Sequence, residues 1–157
     1  MVAITRSIVI AGVLLSAAAC APQAVQTAAK PVSTPVCPED LPTVPGSGPA
    51  KPLVAGNPAA AAVCFYSAPV PAGHIPLTRS RAVTDVDGLV AALNAADTTP
   101  PPRGTMCPMD DNTTDVVIFA YDKGDPEYVT IRPTGCATAT NGRTTAYRLS
   151  DAVLGKL

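Results

Sequence analysis

Residues 116–132 read VVIFAYDKGDPEYVTIR, and this stretch decides the fold. Val116 to Tyr121 is rich in β-branched and aromatic residues, Asp122 to Glu127 contains Gly124 and Pro126, and Tyr128 to Arg132 resumes the β pattern. Two such runs around a short Gly- and Pro-bearing turn predict an antiparallel hairpin. Beyond it, Pro133, Thr134 and Gly135 break the chain and Cys136 to Thr140 extends again. Asn141-Gly142 is then the dipeptide favoured at the centre of a two-residue type I′ turn leading into Thr144 to Leu149. Ser150 suits the cap of a last helical turn through Leu154.

Upstream of the hairpin the period changes from two to 3.6. Val86, Leu89, Val90 and Leu93 fall at i, i+3, i+4 and i+7, which predicts a helix from Asp85 to Ala96 with one apolar stripe facing a core. Thr84 with Asp87 three residues on has the form of a capping box, with Asp in place of Glu, and prolines 100, 101 and 102 stop the helix. Ala61 to Ser67 reads as a short strand with Val63 and Phe65 on one face and Cys64 and Tyr66 on the other, and Leu77 to Val83 as a further extended stretch. Cys37 to Pro58 is so rich in Pro and Gly that it is expected to wrap the surface without regular elements.

Five cysteines set the compartment. Arg6, the apolar stretch Ile8 to Leu15 and the small residues Ala17, Ala18 and Ala19 have the three parts of an export signal over residues 1–19. Ile8 to Ala19 spans 12 residues, short of the roughly 20 that cross a bilayer as a helix. Cys20 follows the expected cut, and the run resembles a bacterial lipoprotein signal, which implies that Cys20 carries lipid and anchors the protein on the extracellular face of the membrane. Ordinary cleavage after Ala19 or Ala21, giving a freely secreted protein, is the alternative. Residues 20–36 then form a Pro-, Ala- and Thr-rich linker, which cannot bury enough apolar surface to offset the entropy lost on folding, with a reach of roughly 20 Å as a coil.

Residues 37–157 have the length of one domain. Trp is absent and only Phe65, Phe119 and four tyrosines are aromatic, so the core is thin and crosslinks matter. Cys37, Cys64, Cys107 and Cys136 form an even set suited to two disulfides, for which three connectivities exist. Cys37-Pro38 leading to Cys64 echoes Cys107-Pro108 leading to Cys136, which favours the local pairing. The whole is expected to be α+β: an antiparallel sheet with one main helix packed on it, two disulfides and a disordered N-terminal tether.

Chemistry-bearing motifs are sparse. The net charge is −1 with the basic residues scattered, which leaves no footprint for nucleic acid. His74 is the sole histidine, without a nucleophile motif around it, so no catalytic residue is assigned and an enzyme is not expected. No cofactor motif occurs. No metal is expected either, and the one candidate is the oxygen-rich run of Asp110, Asp111, Asn112 and Asp115, which lacks the EF-hand spacing and its glycine. Asp and Asn side chains bonding to nearby backbone account for such a run equally.

The order Cys37-Pro38, Cys64-Phe65-Tyr66, Cys107-Pro108, Gly135-Cys136, Asn141-Gly142 resembles a group of uncharacterised actinobacterial secreted proteins and lipoproteins, which implies a shared fold and no activity. Met106-Cys107-Pro108-Met109 is similar to the reactive loop of subtilisin-inhibitor-like proteins, which implies a disulfide-held loop with Met109 as the residue entering a protease pocket. The expectation is a small binding or interaction module outside the cell, anchored through lipid, with an unidentified protein or small-molecule partner. A subtilisin-type protease inhibitor is the alternative.

Overall fold

The computed structural model describes residues 33–44, 52–67 and 74–157. The expected export signal, Cys20 and most of the linker lie outside them, as do residues 45–51 and 68–73. The elements in chain order are β1 Ala60–Ser67, β2 Leu77–Ala82, α1 Val86–Asn94, β3 Thr113–Ala120, β4 Glu127–Arg132, β5 Thr138–Thr140, β6 Thr145–Tyr147 and α2 Asp151–Leu154. They form the expected α+β fold: one six-stranded sheet in the order β2-β1-β3-β4-β5-β6 with every neighbouring pair antiparallel.

The hairpin of 116–132 is β3 and β4, with Val117 opposite Val129 and Ile118 opposite Tyr128. On the other side of β3 lies β1, paired along its whole length from Ala60 opposite Ala120 to Ser67 opposite Thr113. Because α1 carries the chain from edge strand β2 past β1 to β3, the middle of the sheet joins segments about 50 residues apart in sequence.

Six successive residues of β3 are buried, as expected of a strand covered on both faces. One face carries Val63, Val117, Phe119, Val129 and Ile131 against Leu89 and Leu93 of α1 and Val153 of α2. The opposite face carries Cys64, Tyr66, Val116 and Ile118 beneath Cys37, Leu41, Ile75 and Leu77. No helix among the described residues covers this second face. It is closed by extended chain, held by Leu41 N donating to Ile75 O at 2.9 Å and Leu77 N to Glu39 O at 2.7 Å. The Tyr66 hydroxyl donates to Pro38 O at 2.9 Å, and burial raises its pKa.

Disulfides join Cys37 to Cys64 and Cys107 to Cys136, both the local pairings. The first fastens the covering segment to β1. The second ties the loop before β3 to the turn after β4. Two disulfides fit an oxidising compartment outside the cytoplasm.

Several expectations are corrected in detail. The segment Cys37 to Pro58 forms no regular element among its described residues, yet it drives Leu53 and Val54 into the core. The Asn94 side chain holds Val54 at two points, accepting from its N and donating to its O, both at 2.9 Å, so this irregular chain has its backbone groups satisfied without a strand partner. Asp85 caps α1 in place of Thr84, its Oδ1 accepting from Gly88 N at 2.9 Å. Aspartate accepts this bond as well as threonine does, so the cap falls one residue later than the box pattern suggested.

The last hairpin turns on Gly142-Arg143 and not on Asn141-Gly142. Gly142 has φ +83° while Asn141 stays out of the left-handed region, the arrangement of a type II′ turn with glycine first. Asn141 is pulled inward instead, 3% exposed, accepting from Arg143 N and Thr144 N and donating to Leu53 O. Ser150 stands at the N-cap of α2, as expected, but its side chain makes no capping bond. Among the described residues no helix is long and apolar enough to cross a membrane.

Candidate functional site

β3 begins at Thr113, three residues before the apolar run from which it was read, and this extension carries Asp115 into the sheet. In register it lies beside Phe65 of β1 on one side and Ile131 of β4 on the other, while Phe65 in turn faces Arg79 of β2. The row Arg79, Phe65, Asp115 and Ile131 therefore places one base, one ring, one acid and one aliphatic side chain across four strands.

Arg79, Phe65 and Asp115 of this row line a cleft of about 370 Å³. Leu154 and Leu157 of the C-terminal segment and Pro133 after β4 supply apolar walls, and Ser67, Thr78 and Thr113 line the rest. The wall at 154–157 is braced against the start of α1, since Lys156 Nζ donates to Asp85 Oδ2. That ion pair and the Gly88 bond hold the Asp85 carboxyl below its ordinary pKa.

Asp115 is the unusual member. It is 6% exposed and its side chain makes no hydrogen bond among the described residues. No fully enclosed side-chain oxygen among them lacks a partner, so the Asp115 carboxylate reaches the cleft. Burial pushes its carboxyl up to about 6, opposed by the positive Arg79 and reinforced by the negative Asp111. A buried acid of this kind, without donors of its own, is the mark of a site more than of a scaffold.

Arg79 is exposed, and its guanidinium carbon lies 3.9 Å from the centre of the Phe65 ring. Stacking on the ring face positions the cation without using its N–H groups. β2 bulges here: Phe65 pairs with Arg79 but Tyr66 pairs with Leu77, so Thr78 is the extra residue, and its hydroxyl donates to Phe65 O at 2.8 Å. Bulges bend a strand and re-aim its side chains, and this one stands at the rim of the cleft.

The acidic run proposed as a metal candidate is taken apart by the same geometry. Asp110 Oδ1 accepts from Asn112 N and Thr134 Oγ1, and Asp111 Oδ1 from Thr113 N, Thr113 Oγ1 and Thr134 Oγ1. Each carboxylate thus uses one oxygen to close its own turn, while Asp115 lines the cleft. Among the described residues no group of three acids, histidines or cysteines is gathered where a metal ion could be held.

The turn they close steadies the loop before β3. Met106 and Met109 are each 92% exposed on either side of Cys107-Pro108, and the Cys107–Cys136 disulfide pins their loop to the body of the domain. His74 is also at the surface, its Nδ1 2.9 Å from Asp40 Oδ1, with side chains 67% and 52% exposed. No serine or threonine hydroxyl bonds to this pair among the described residues.

Sequence reasoning passed over Arg79, Phe65 and Asp115 as a constellation. The available signal was an acid at an inward position of a β-rich run, two residues before Val117. Comparison of the chain with protein-family models, with curated proteins and with solved structures finds no match. What the fold and site define is a class: a disulfide-bonded α+β domain with an acid-floored cleft on the helix side of its sheet.

Proposed function

We propose that this chain is a binding module of the cell envelope, anchored outside the membrane by a lipid on Cys20, with the cleft over Asp115 as its ligand site and no catalytic role. The observation that carries the reading is the Asp115 carboxylate, almost wholly buried yet without a donor among the described residues and open to the cleft. Leaving such a group unpaired costs stability that a ligand's donors would restore. Among the described residues no hydroxyl bonds to this carboxylate and no second acid lines the cleft, which favours binding over turnover.

Thermal unfolding of the full chain in the presence of fractionated cell-envelope extract tests this. A fraction that raises the melting temperature of the wild type and leaves Asp115→Asn unmoved is the expected result, and no Asp115-dependent shift in any fraction would overturn it. The anchor is tested separately: Cys20→Ala moves the protein from the membrane fraction to the medium, and a wild type already found in the medium removes it.

A second reading, a subtilisin-type inhibitor, draws on one specific feature, the exposure of Met106 and Met109 on a disulfide-held loop. A loop already ordered loses little entropy on docking into a protease. Under this reading the oxidised protein inhibits a subtilisin stoichiometrically and Met109→Asp abolishes the inhibition. Digestion at the loop, or indifference, eliminates it.

A further inference from the structure

Granting the cleft as a ligand site, we infer that its ligand is a small zwitterion: an ammonium and a carboxylate close together on a short apolar body, as in a free amino acid with an aliphatic side chain. The inference rests on which bonding capacities the cleft has left over. Asp115 offers acceptors and no donor among the described residues uses them. The Thr78 hydroxyl is committed to Phe65 O and the Thr113 hydroxyl to Asp111, while the Tyr66 hydroxyl is turned to Pro38 O on the other face. An ammonium brings three donors and the opposite charge, the strongest match for a buried carboxylate.

A bare amine does not satisfy the rest of the site. Arg79 faces the same cleft, its guanidinium stacked on Phe65 and without a hydrogen bond among the described residues. It would repel a simple cation, as Asp115 would repel a simple anion. A ligand carrying both charges meets both, the carboxylate taking the edge of the guanidinium in the two-point geometry that group favours. Leu154, Leu157, Pro133 and the Phe65 ring leave an apolar wall for the remainder. A few placed polar contacts with an apolar lining are the usual build of a small-molecule site.

The test uses the full chain with its disulfides intact, followed by NMR with L-leucine, isoamylamine, which is leucine without its carboxylate, and 4-methylpentanoate, which is leucine without its amine. Leucine is expected to shift the amides of Phe65, Arg79, Asp115 and Leu157 saturably. Each single-charge analogue should bind at least about tenfold more weakly, the loss of one charge-assisted contact. Asp115→Asn and Arg79→Gln should each weaken leucine by a similar factor while retaining the wild-type spectrum elsewhere. Isoamylamine binding as tightly as leucine would overturn the zwitterion in favour of a plain cation site, and the absence of any saturable leucine shift at millimolar concentration would overturn it outright. If leucine fails while an envelope fraction still stabilises the protein through Asp115, the ligand class falls and the cleft stands; if both fail, both fall.

Discussion

Asp115 shows how one side chain sets a pH dependence for the whole domain. Its folded-state pKa of about 6 lies above the ordinary 3.8, so the folded protein holds this proton where the unfolded chain has already released it. With respect to this group, stability is therefore greatest below pH 3.8 and declines as pH rises to about 6, above which the full cost of the buried charge is present. At about 1.4 kcal/mol per tenfold change in proton affinity, and allowing for solvent reaching the open cleft, that cost is about 1–3 kcal/mol. Asp115→Asn should accordingly raise the melting temperature at pH 7 and change it little at pH 3.5. An equal change at both values would show that the charge is not what burdens the fold. This residue was readable as an acid near a strand, but its role was not. In the sequence it belongs with Asp110 and Asp111; in the fold it belongs with Phe65 and Arg79, which arrive from strands 36 to 50 positions earlier.

At the level of single elements, α1 was legible because its apolar stripe repeats with the period of a helix and needs only local geometry to be recognised. Leu89 and Leu93 are its fully buried members, while Val86 and Val90 pack at the margin of the core. Its cap carries a less obvious constraint. A Cβ placed on Gly88 would come within 2.1 Å of Asp85 Oδ2, the oxygen that also receives Lys156. Replacing an interior helical glycine by alanine ordinarily stabilises by roughly 1 kcal/mol. Gly88→Ala is expected to lose that gain and lower the melting temperature, because Asp85 must swing away from both its partners. In an Asp85→Ala background the same change should become stabilising, and a stabilising effect in both backgrounds would show that the cap is not crowded. The last hairpin teaches the complementary lesson. Asn141-Gly142 favours a turn anywhere, but the burial of the Asn141 side chain against Leu53 shifted the turn by one residue.

Across the whole molecule the two disulfides do unequal work. By the chain-entropy estimate each loop, spanning 27 and 29 positions, is worth about 3.5 kcal/mol, against a total of about 5–15 kcal/mol for a domain of this size. Cys37–Cys64 holds the described cover of the second face. Its removal by Cys37→Ser with Cys64→Ser should speed amide exchange at Val116 and Ile118 as well as lower the urea midpoint. Removal of Cys107–Cys136 should lower the midpoint by a comparable amount yet leave those amides protected, while proteolysis at Met106 and Met109 accelerates. The same amide pattern in both variants would mean that the second face is closed by packing alone.

What residues 37–157 indicated unaided depends on neighbours in the chain: the 116–132 hairpin from its alternation and turn, the helix from its stripe, and a preference for pairing nearby cysteines from a repeated Cys-Pro. What only the tertiary structure decided was everything that depends on crossing the sheet. The passage of α1 set β1 beside β3, and that adjacency buried Leu53 and Val54, divided the acidic run, and brought a base, a ring and an acid into one row. Periodicity reports which face a residue turns inward, but it carries no information about which distant strand will lie opposite, because that choice is made by the burial of the whole core at once.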